Sequence, residues 1–253
     1  MDKVHNVNHK AGKVTVVGLG PGDVAYMTPV VKEAIEAADV VVGYKTYIDL
    51  IQPMLENKKV INNGMRREVE RCQKAVEIAE EGHQVVLVSS GDPGIYGMAG
   101  ILLEVKEEMG SNIDVDILPG ITAVNAAASV LGAPLMHDFV VISLSDLLTD
   151  WEVIKRRIRC GGEGDFIVAL YNPKSKGRTT QIEEAREILL QHRGEDTPVG
   201  IVRNAKRENQ EMTITSLGNM LQHNIDMTTV VIIGNSNTYI KNGKMITPRG
   251  YKI

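Results

Sequence analysis

Short runs of β-branched residues recur along the whole chain, and no other feature constrains the fold as tightly. Strands are expected at residues 14–18 and at "DVVVG", "QVVLVSS", "DVDIL", "FVVISL", "FIVALY", "PVGIV", "MTITS" and "TVVIIG". Most of these runs are apolar throughout rather than alternating, which is the pattern of strands covered on both faces. Helical patterns fill the intervals. Thr28 and Pro29 suit a cap and first turn ahead of the apolar Val30, Val31, Ala34 and Ile35. Residues 66–81 place Val69, Cys72, Val76 and Ala79 on one helical face, with Gly82 as the stop. Further helices are expected at 96–109, 123–131 and 180–191. This alternation predicts an α/β protein: two α/β domains with mainly parallel or mixed sheets and a cleft between them. No long linker separates the halves, so the boundary falls near Pro119 to Ala123, giving domains at 1–120 and 121–253.

The first strand runs into "GLGPGD", a glycine-rich βα turn of the kind that often holds phosphates. A dinucleotide fingerprint needs a glycine at the sixth position of the turn, where this chain has Asp23. Its second strand ends in glycine, where an acidic ribose ligand would be wanted. The turn also lacks the Lys and Ser/Thr of a phosphate loop. A glycine turn alone could be purely structural, but four other strands end in equally unusual loops: "SSGDPGIYG", "YNPKSKGR", "VRNAKR" and "IGNSNT". All five are expected at carboxyl ends of strands, the edge that forms the ligand crevice of an open α/β sheet.

Composition narrows the partners. A net charge of −4 with 4% aromatic residues and no basic patch argues against nucleic acid. The two cysteines, Cys72 and Cys160, have no second thiol or histidine at metal-ligand spacing, so no metal site is expected. His5 and His9 read as part of a polar terminus. The chain has no run of eighteen apolar residues, and its first ten residues lack the apolar core of a signal peptide, so a cytoplasmic location is expected.

Taken together, "GLGPGD", "GDPGIYG" and "PGITA" resemble the tetrapyrrole methylases, the class III S-adenosylmethionine-dependent methyltransferases, and the resemblance covers nearly the whole chain. Within that family "VVGYKTYIDLI", "GMRREVERCQKA", "LGAPLMHDFVVISLSDLL" and "YNPKSKGR" are similar to members that methylate C-17 of precorrin-3B or cobalt-factor III. The resemblance implies ring contraction, a role in cobalamin synthesis, a homodimer and association with neighbouring enzymes of that pathway. It also implies S-adenosylmethionine as donor, S-adenosylhomocysteine as product and a tetrapyrrole as acceptor. Carried over by motif, the donor contacts are Pro21, Ser90, Gly91, Asp92, Ile95, Thr122, Ala123, Tyr171, Asn172 and Ala205. Relatives often have glycine in place of Ser90 and methionine in place of Asn172, changes that a backbone contact tolerates. Gly20 and Asp23 of the first turn are placed on the tetrapyrrole side.

Methyl transfer from a sulfonium is an in-line displacement that calls for alignment and exclusion of water more than for a protein nucleophile. The sequence shows no Ser/His/Asp or Cys/His triad. A carboxylate-rich acceptor calls for cations, and Lys45, Arg66, Arg67, Lys174, Lys176 and Arg178 stand near loops or helix starts, where each could equally be a solvated surface charge. Asp92 either accepts hydrogen bonds from the donor or forms its own "GDPG" turn. Asp92, Tyr96, Lys45 and His137 are the candidate catalytic groups for ring contraction, with a structural histidine as the alternative for His137. Methylation at C-11 or C-20, or a non-catalytic tetrapyrrole carrier, are the competing functions.

Overall fold

The computed structural model describes residues 12–64 and 66–252, so His5 and His9 lie outside the described residues. The chain divides into two compact units, the first ending at Thr122 and the second starting at Ala123.

In unit 1, β1 (Lys13–Gly18), α1 (Pro29–Ala37), β2 (Val40–Tyr44), α2 (Lys45–Leu50), β3 (Lys59–Asn63), α3 (Glu68–Glu80), β4 (Gln84–Ser89), α4 (Met98–Glu108) and β5 (Asp114–Leu118) follow in order. The five strands form one sheet in the order β3-β2-β4-β1-β5, with every pairing parallel. Successive residues of a strand face opposite sides, and the core divides accordingly. Val14, Val16, Val40, Val42, Val85 and Leu87 pack under α3 and α4, whereas Val17, Val41, Val86 and Val88 pack with Val31 and Ile35 of α1 and Ile48 of α2. Continuous valine runs are what a sheet sandwiched by helices requires.

Several details differ from the sequence reading. Thr28 makes no side-chain cap bond, and Val30, one position off the Val31–Ile35 line, is 47% exposed. Arg66 has φ 64° and Tyr96 φ 52°, so neither residue is helical; α3 starts at Glu68 and α4 at Met98. Val69, in the first turn of α3, is half exposed.

Unit 2 contains α5 (Ala123–Leu131), β6 (Gly132–Ala133), β7 (Phe139–Ser143), α6 (Trp151–Glu163), β8 (Ile167–Tyr171), α7 (Gln181–Leu190), β9 (Pro198–Arg203), β10 (Glu211–Ser216), β11 (Thr229–Ile233), β12 (Tyr239–Lys241) and β13 (Lys244–Ile246). Its main sheet has the order β10-β9-β11-β8-β7, and only β7 and β8 pair in parallel. One face packs α6 and α7 through Ile154, Ile158, Ile182 and Leu189; the other packs α5 and Met245 of β13. Helix α6 goes unassigned in the sequence reading although its signals are present. The Asp150 side chain caps it by accepting from Glu152 N at 2.8 Å, and Ile154 and Ile158 are spaced i, i+4.

Because β11 runs antiparallel to both β8 and β9, its carboxyl end lies at their amino ends, and Gly234 N donates to Pro198 O at 2.8 Å. The "IGNSNT" loop therefore sits on the edge opposite to "YNPKSKGR" and "VRNAKR". Its buried Asn235 and Thr238 are hydrogen-bonded to each other, and Thr238 is bonded to Thr247 as well, which makes this loop a structural turn. Four of the five unusual loops share carboxyl edges, not five. Among the described residues no helix is long and apolar enough to cross a membrane.

Candidate functional site

An all-parallel sheet delivers the carboxyl ends of all its strands to one edge, so unit 1 gathers its candidate residues there by topology alone. Gly20, Pro21 and Asp23 follow β1, and Lys45 follows β2; Arg66 and Arg67 follow β3, Ser90 through Tyr96 follow β4, and Thr122 follows β5.

The three central loops are laced together by main-chain contacts. Gly20 and Gly91 exchange backbone hydrogen bonds of 3.1 and 2.8 Å, and Leu19 N donates to Ser89 O at 2.9 Å. At Gly120 a Cβ would lie 2.2 Å from Gly91 O and 2.5 Å from Gly18 O; at Gly18 it would lie 2.5 Å from Gly91 O. Only glycine permits this approach. The glycine turn of the first strand is thus one wall of a three-loop junction.

Asp92 is the clasp of that junction. Its Oδ1 accepts from Gly94 N at 2.8 Å, closing its own turn, and its Oδ2 accepts from Gly120 N at 3.1 Å, tying the second loop to the third. Both carboxylate oxygens are therefore engaged by the fold. Around the junction Pro21 and Thr122 are buried, Ser90 is half-buried, and Ile95 and Tyr96 are exposed. Tyr96 holds its positive φ at this edge, a strained position of the kind that concentrates at functional sites. Asp23 is exposed and caps a short 3-10 turn by accepting from Ala25 N at 2.8 Å. Lys45, Arg66 and Arg67 are exposed, and Arg67 lies 3.4 Å from Glu70.

In unit 2 the fold brings Ala123, Tyr171 and Ala205 into one apolar cluster. The Tyr171 hydroxyl accepts from Val124 N, one of the orphan donors at the start of α5, at 2.6 Å. Asn172 is left-handed, with φ 48°, and its amide donates to Ser143 Oγ at 3.0 Å. Arg178 is not a solvated surface charge: it is 6% exposed and donates to Asn172 O at 2.7 Å. Lys174 is half-buried and Lys176 exposed. His137 is not brought to this edge. It precedes β7, at the amino end of the sheet, a strand length of roughly 16 Å from the carboxyl end that carries Asn172. It is exposed, and its Nδ1 accepts from the adjacent Asp138 N at 3.0 Å. Cys72 is no nucleophile, because burial pushes its thiol up to about 12 against the pull of Arg71.

The sequence reading missed the structural weight of Gly18 and Gly120, although both stand in its quoted motifs. It also missed Arg71, which is 4% exposed and stacks 5.8 Å from the Tyr44 ring at the end of β2. The donor-contact set is chemically consistent with S-adenosylmethionine. Proline, isoleucine and alanine side chains suit the adenosyl and thioether parts, while hydroxyls and an amide suit the polar groups. The set contains no lysine or arginine to oppose a sulfonium.

A family model described as "Tetrapyrrole (Corrin/Porphyrin) Methylases" matches residues 13–221. A "Probable cobalt-factor III C(17)-methyltransferase" of Salmonella typhimurium is 51% identical over 240 residues, covering 95% of this chain and 100% of that protein. A "Cobalt-factor III methyltransferase" of Priestia megaterium is 50% identical over 95% of this chain, which spans 45% of that longer protein. Among solved structures, that of "the methyltransferase CobJ" superposes with a TM-score of 0.89 at 40% identity, covering 94% of this chain and 100% of the other.

Proposed function

The chain belongs to the tetrapyrrole (corrin/porphyrin) methylase family, and from that premise we propose that it methylates C-17 of cobalt-factor III and promotes ring contraction in cobalamin synthesis. The observation that carries this reading is the three-loop junction. Five parallel strands end on one edge, and their central loops are held by glycine contacts and the Asp92 clasp, with neutral side chains around them. S-adenosylmethionine, when bound, supplies a methyl group activated by a positively charged sulfur. The remaining work falls to positioning, which rigid loops laced by main-chain bonds perform well.

Pro21, Ser90, Gly91, Ile95, Thr122, Ala123, Tyr171, Asn172 and Ala205 are the donor contacts in this reading. Asp92 acts first on the loops and only through them on the donor. Lys45, Arg66 and Arg67 take carboxylates of the macrocycle, and Gly20 and Asp23 shape its side of the edge. In this reading Tyr96 and Lys45 take part in proton transfer during ring contraction. His137, at the opposite edge of its own sheet, is a structural residue in this reading. The enzyme works in the cytoplasm as a homodimer. Among the described residues β7 is an end strand of its sheet, and Phe139 on it is 42% exposed, which suits a second copy; light scattering that gives a monomer mass would remove that part. Contact with neighbouring pathway enzymes rests on the resemblance and is read by co-purification.

Anaerobic turnover with S-adenosylmethionine carrying a ¹³C-methyl group tests the reaction. Cobalt-factor III and metal-free precorrin-3B are compared, and the label is located by NMR. Label at C-17 of the cobalt substrate is expected. Label at C-11 or C-20 would move the assignment within the family, and donor binding without transfer would point to a carrier.

A further inference from the structure

Arg178 is the most deeply buried of the cations that sequence assigns to the substrate. Only 6% of it is exposed, its Nη2 donates to Asn172 O at 2.7 Å, and its Nε is buried with no partner among the described residues. No carboxylate of the described residues pairs with it, in contrast to Arg203, which meets both Glu211 and Asp226. Removing a guanidinium from water without a counter-charge is costly, so the one strong bond it makes has to matter to the fold of this loop. That bond goes to the carbonyl of a residue held in the left-handed region. Asparagine tolerates φ 48° better than most residues, but the conformation still has to be over-determined by its surroundings.

Three contacts do so. The Asn172 amide is fixed on Ser143, its carbonyl on Arg178, and the preceding Tyr171 O accepts from Leu144 N at 2.9 Å. The loop is then closed at its far end by the exchange between Ser175 and Arg178, with Ser175 N donating to Arg178 O at 2.9 Å and Arg178 N to Ser175 O at 3.3 Å. Arg178 thus grips both ends of the segment 172–178 at once, through its side chain at one end and its backbone at the other.

We infer that Arg178 is a positioning residue for the methyl donor: it sets the backbone of Asn172 and does not bind the macrocycle. This rests on the reading above that Tyr171 and Asn172 contact the donor, and it replaces substrate binding as the role of Arg178. A hydrogen bond from a charged donor is worth about 1.5–3 kcal/mol, which corresponds to roughly ten- to hundredfold in affinity if the loop relaxes without it.

The test measures S-adenosylhomocysteine binding by calorimetry together with separate KM values for donor and macrocycle, on Arg178→Gln and Arg178→Lys. The glutamine variant is expected to weaken S-adenosylhomocysteine about tenfold or more and to raise the donor KM alike, with the macrocycle KM unchanged. Lysine can still donate one charged bond to the Asn172 carbonyl, so it should recover most of the loss; it also keeps the test available if the glutamine variant does not fold. A raised macrocycle KM with unchanged S-adenosylhomocysteine affinity would overturn the inference in favour of a substrate contact. A lower melting temperature with both constants unchanged would overturn it in favour of a purely structural role. Asn172→Ala, which strains the same backbone position, separates the two levels. If it weakens S-adenosylhomocysteine and the Arg178 variants do not, only the role of Arg178 is lost. If neither position affects binding, the donor assignment of this loop fails with it.

Discussion

Gly120→Ala is the substitution that most directly tests the three-loop junction. The added methyl would lie 2.2 Å from Gly91 O and 2.5 Å from Gly18 O, both main-chain atoms that no rotamer change can move. A carbon–oxygen contact needs more than 3 Å, so the loops must part by about 1 Å. That displacement stretches the bond from Gly120 N to Asp92 Oδ2, 3.1 Å long, beyond hydrogen-bonding range. Overpacking costs about 1–3 kcal/mol, the lost bond to a carboxylate about 1.5–3 kcal/mol, and the stiffer unfolded chain returns about 0.4–1 kcal/mol. The expected net destabilisation is about 1.5–5.5 kcal/mol, a large share of a typical domain's stability. Urea unfolding followed by circular dichroism reads this, and calorimetry with S-adenosylhomocysteine reads the damage to the site, which should cost at least tenfold in affinity. Gly177→Ala is the control: it has open space around its would-be Cβ and should stay within about 0.5 kcal/mol of the parent. A Gly120→Ala protein within 1 kcal/mol of the parent, binding the product normally, would refute the junction.

Three further outcomes are expected. Burial raises the Cys72 thiol to about 12 while Cys160 is exposed, so a thiol reagent at pH 8 should titrate one cysteine per chain quickly in the native protein and two in urea; two fast thiols would contradict the packing of α3. Burial pushes the Asp226 carboxyl up, but hydrogen bonds from Thr228 and Thr229 and the charge of Arg203 outweigh it and hold the group below the ordinary carboxylate range. Its contribution is present at neutral pH and is lost as pH falls through the depressed folded value, so Asp226→Asn should be about 1 kcal/mol less stable at pH 7, with the gap closing in acid; a gap that stays constant with pH would reject this. Arg193 donates to Gly234 O at 2.6 Å, to Gly161 O at 3.2 Å and to Phe166 O, so Arg193→Ala should cost about 2–4 kcal/mol in a denaturation experiment, and a loss under 0.5 kcal/mol would exclude it as a staple.

What could be read in advance divides along a physical line. Strands announced themselves because both faces of the unit 1 sheet are covered, so every position of "VVV" or "VVLV" had to be apolar. Helix α5 runs over Ala123–Leu131 as its small residues predict, since Ala126 and Ala127 are buried where the helix meets the sheet. Strand direction left no such mark: "TVVIIG" has the same composition whether it runs with β8 or against it, and that cost the placement of "IGNSNT". Backbone sign was equally silent at Arg66 and Tyr96, where a left-handed residue delays each helix. The burial of Arg178 is not legible from its residue type, and only the surrounding loop shows it. Helix α6 was legible but skipped: its Asp150 cap and paired isoleucines obey the ordinary rules.

Under the proposed function, the strand order lets one edge serve a cationic donor and a polyanionic acceptor. In the order β3-β2-β4-β1-β5, the loops of the glycine junction follow the last three strands, while Lys45, Arg66 and Arg67 follow the first two. Adjacent strands are about 4.8 Å apart, so β3 and β1 are separated by roughly 14 Å. Two positive charges 4 Å apart repel by about 1–4 kcal/mol at effective dielectric constants of 80 to 20, whereas at 14 Å the same range is about 0.3–1.2 kcal/mol. Arg66 and Arg67, after β3, can therefore draw in carboxylates while adding little repulsion against a sulfonium near β1. In unit 2 the deeply buried Arg178 spends its charge on the Asn172 carbonyl.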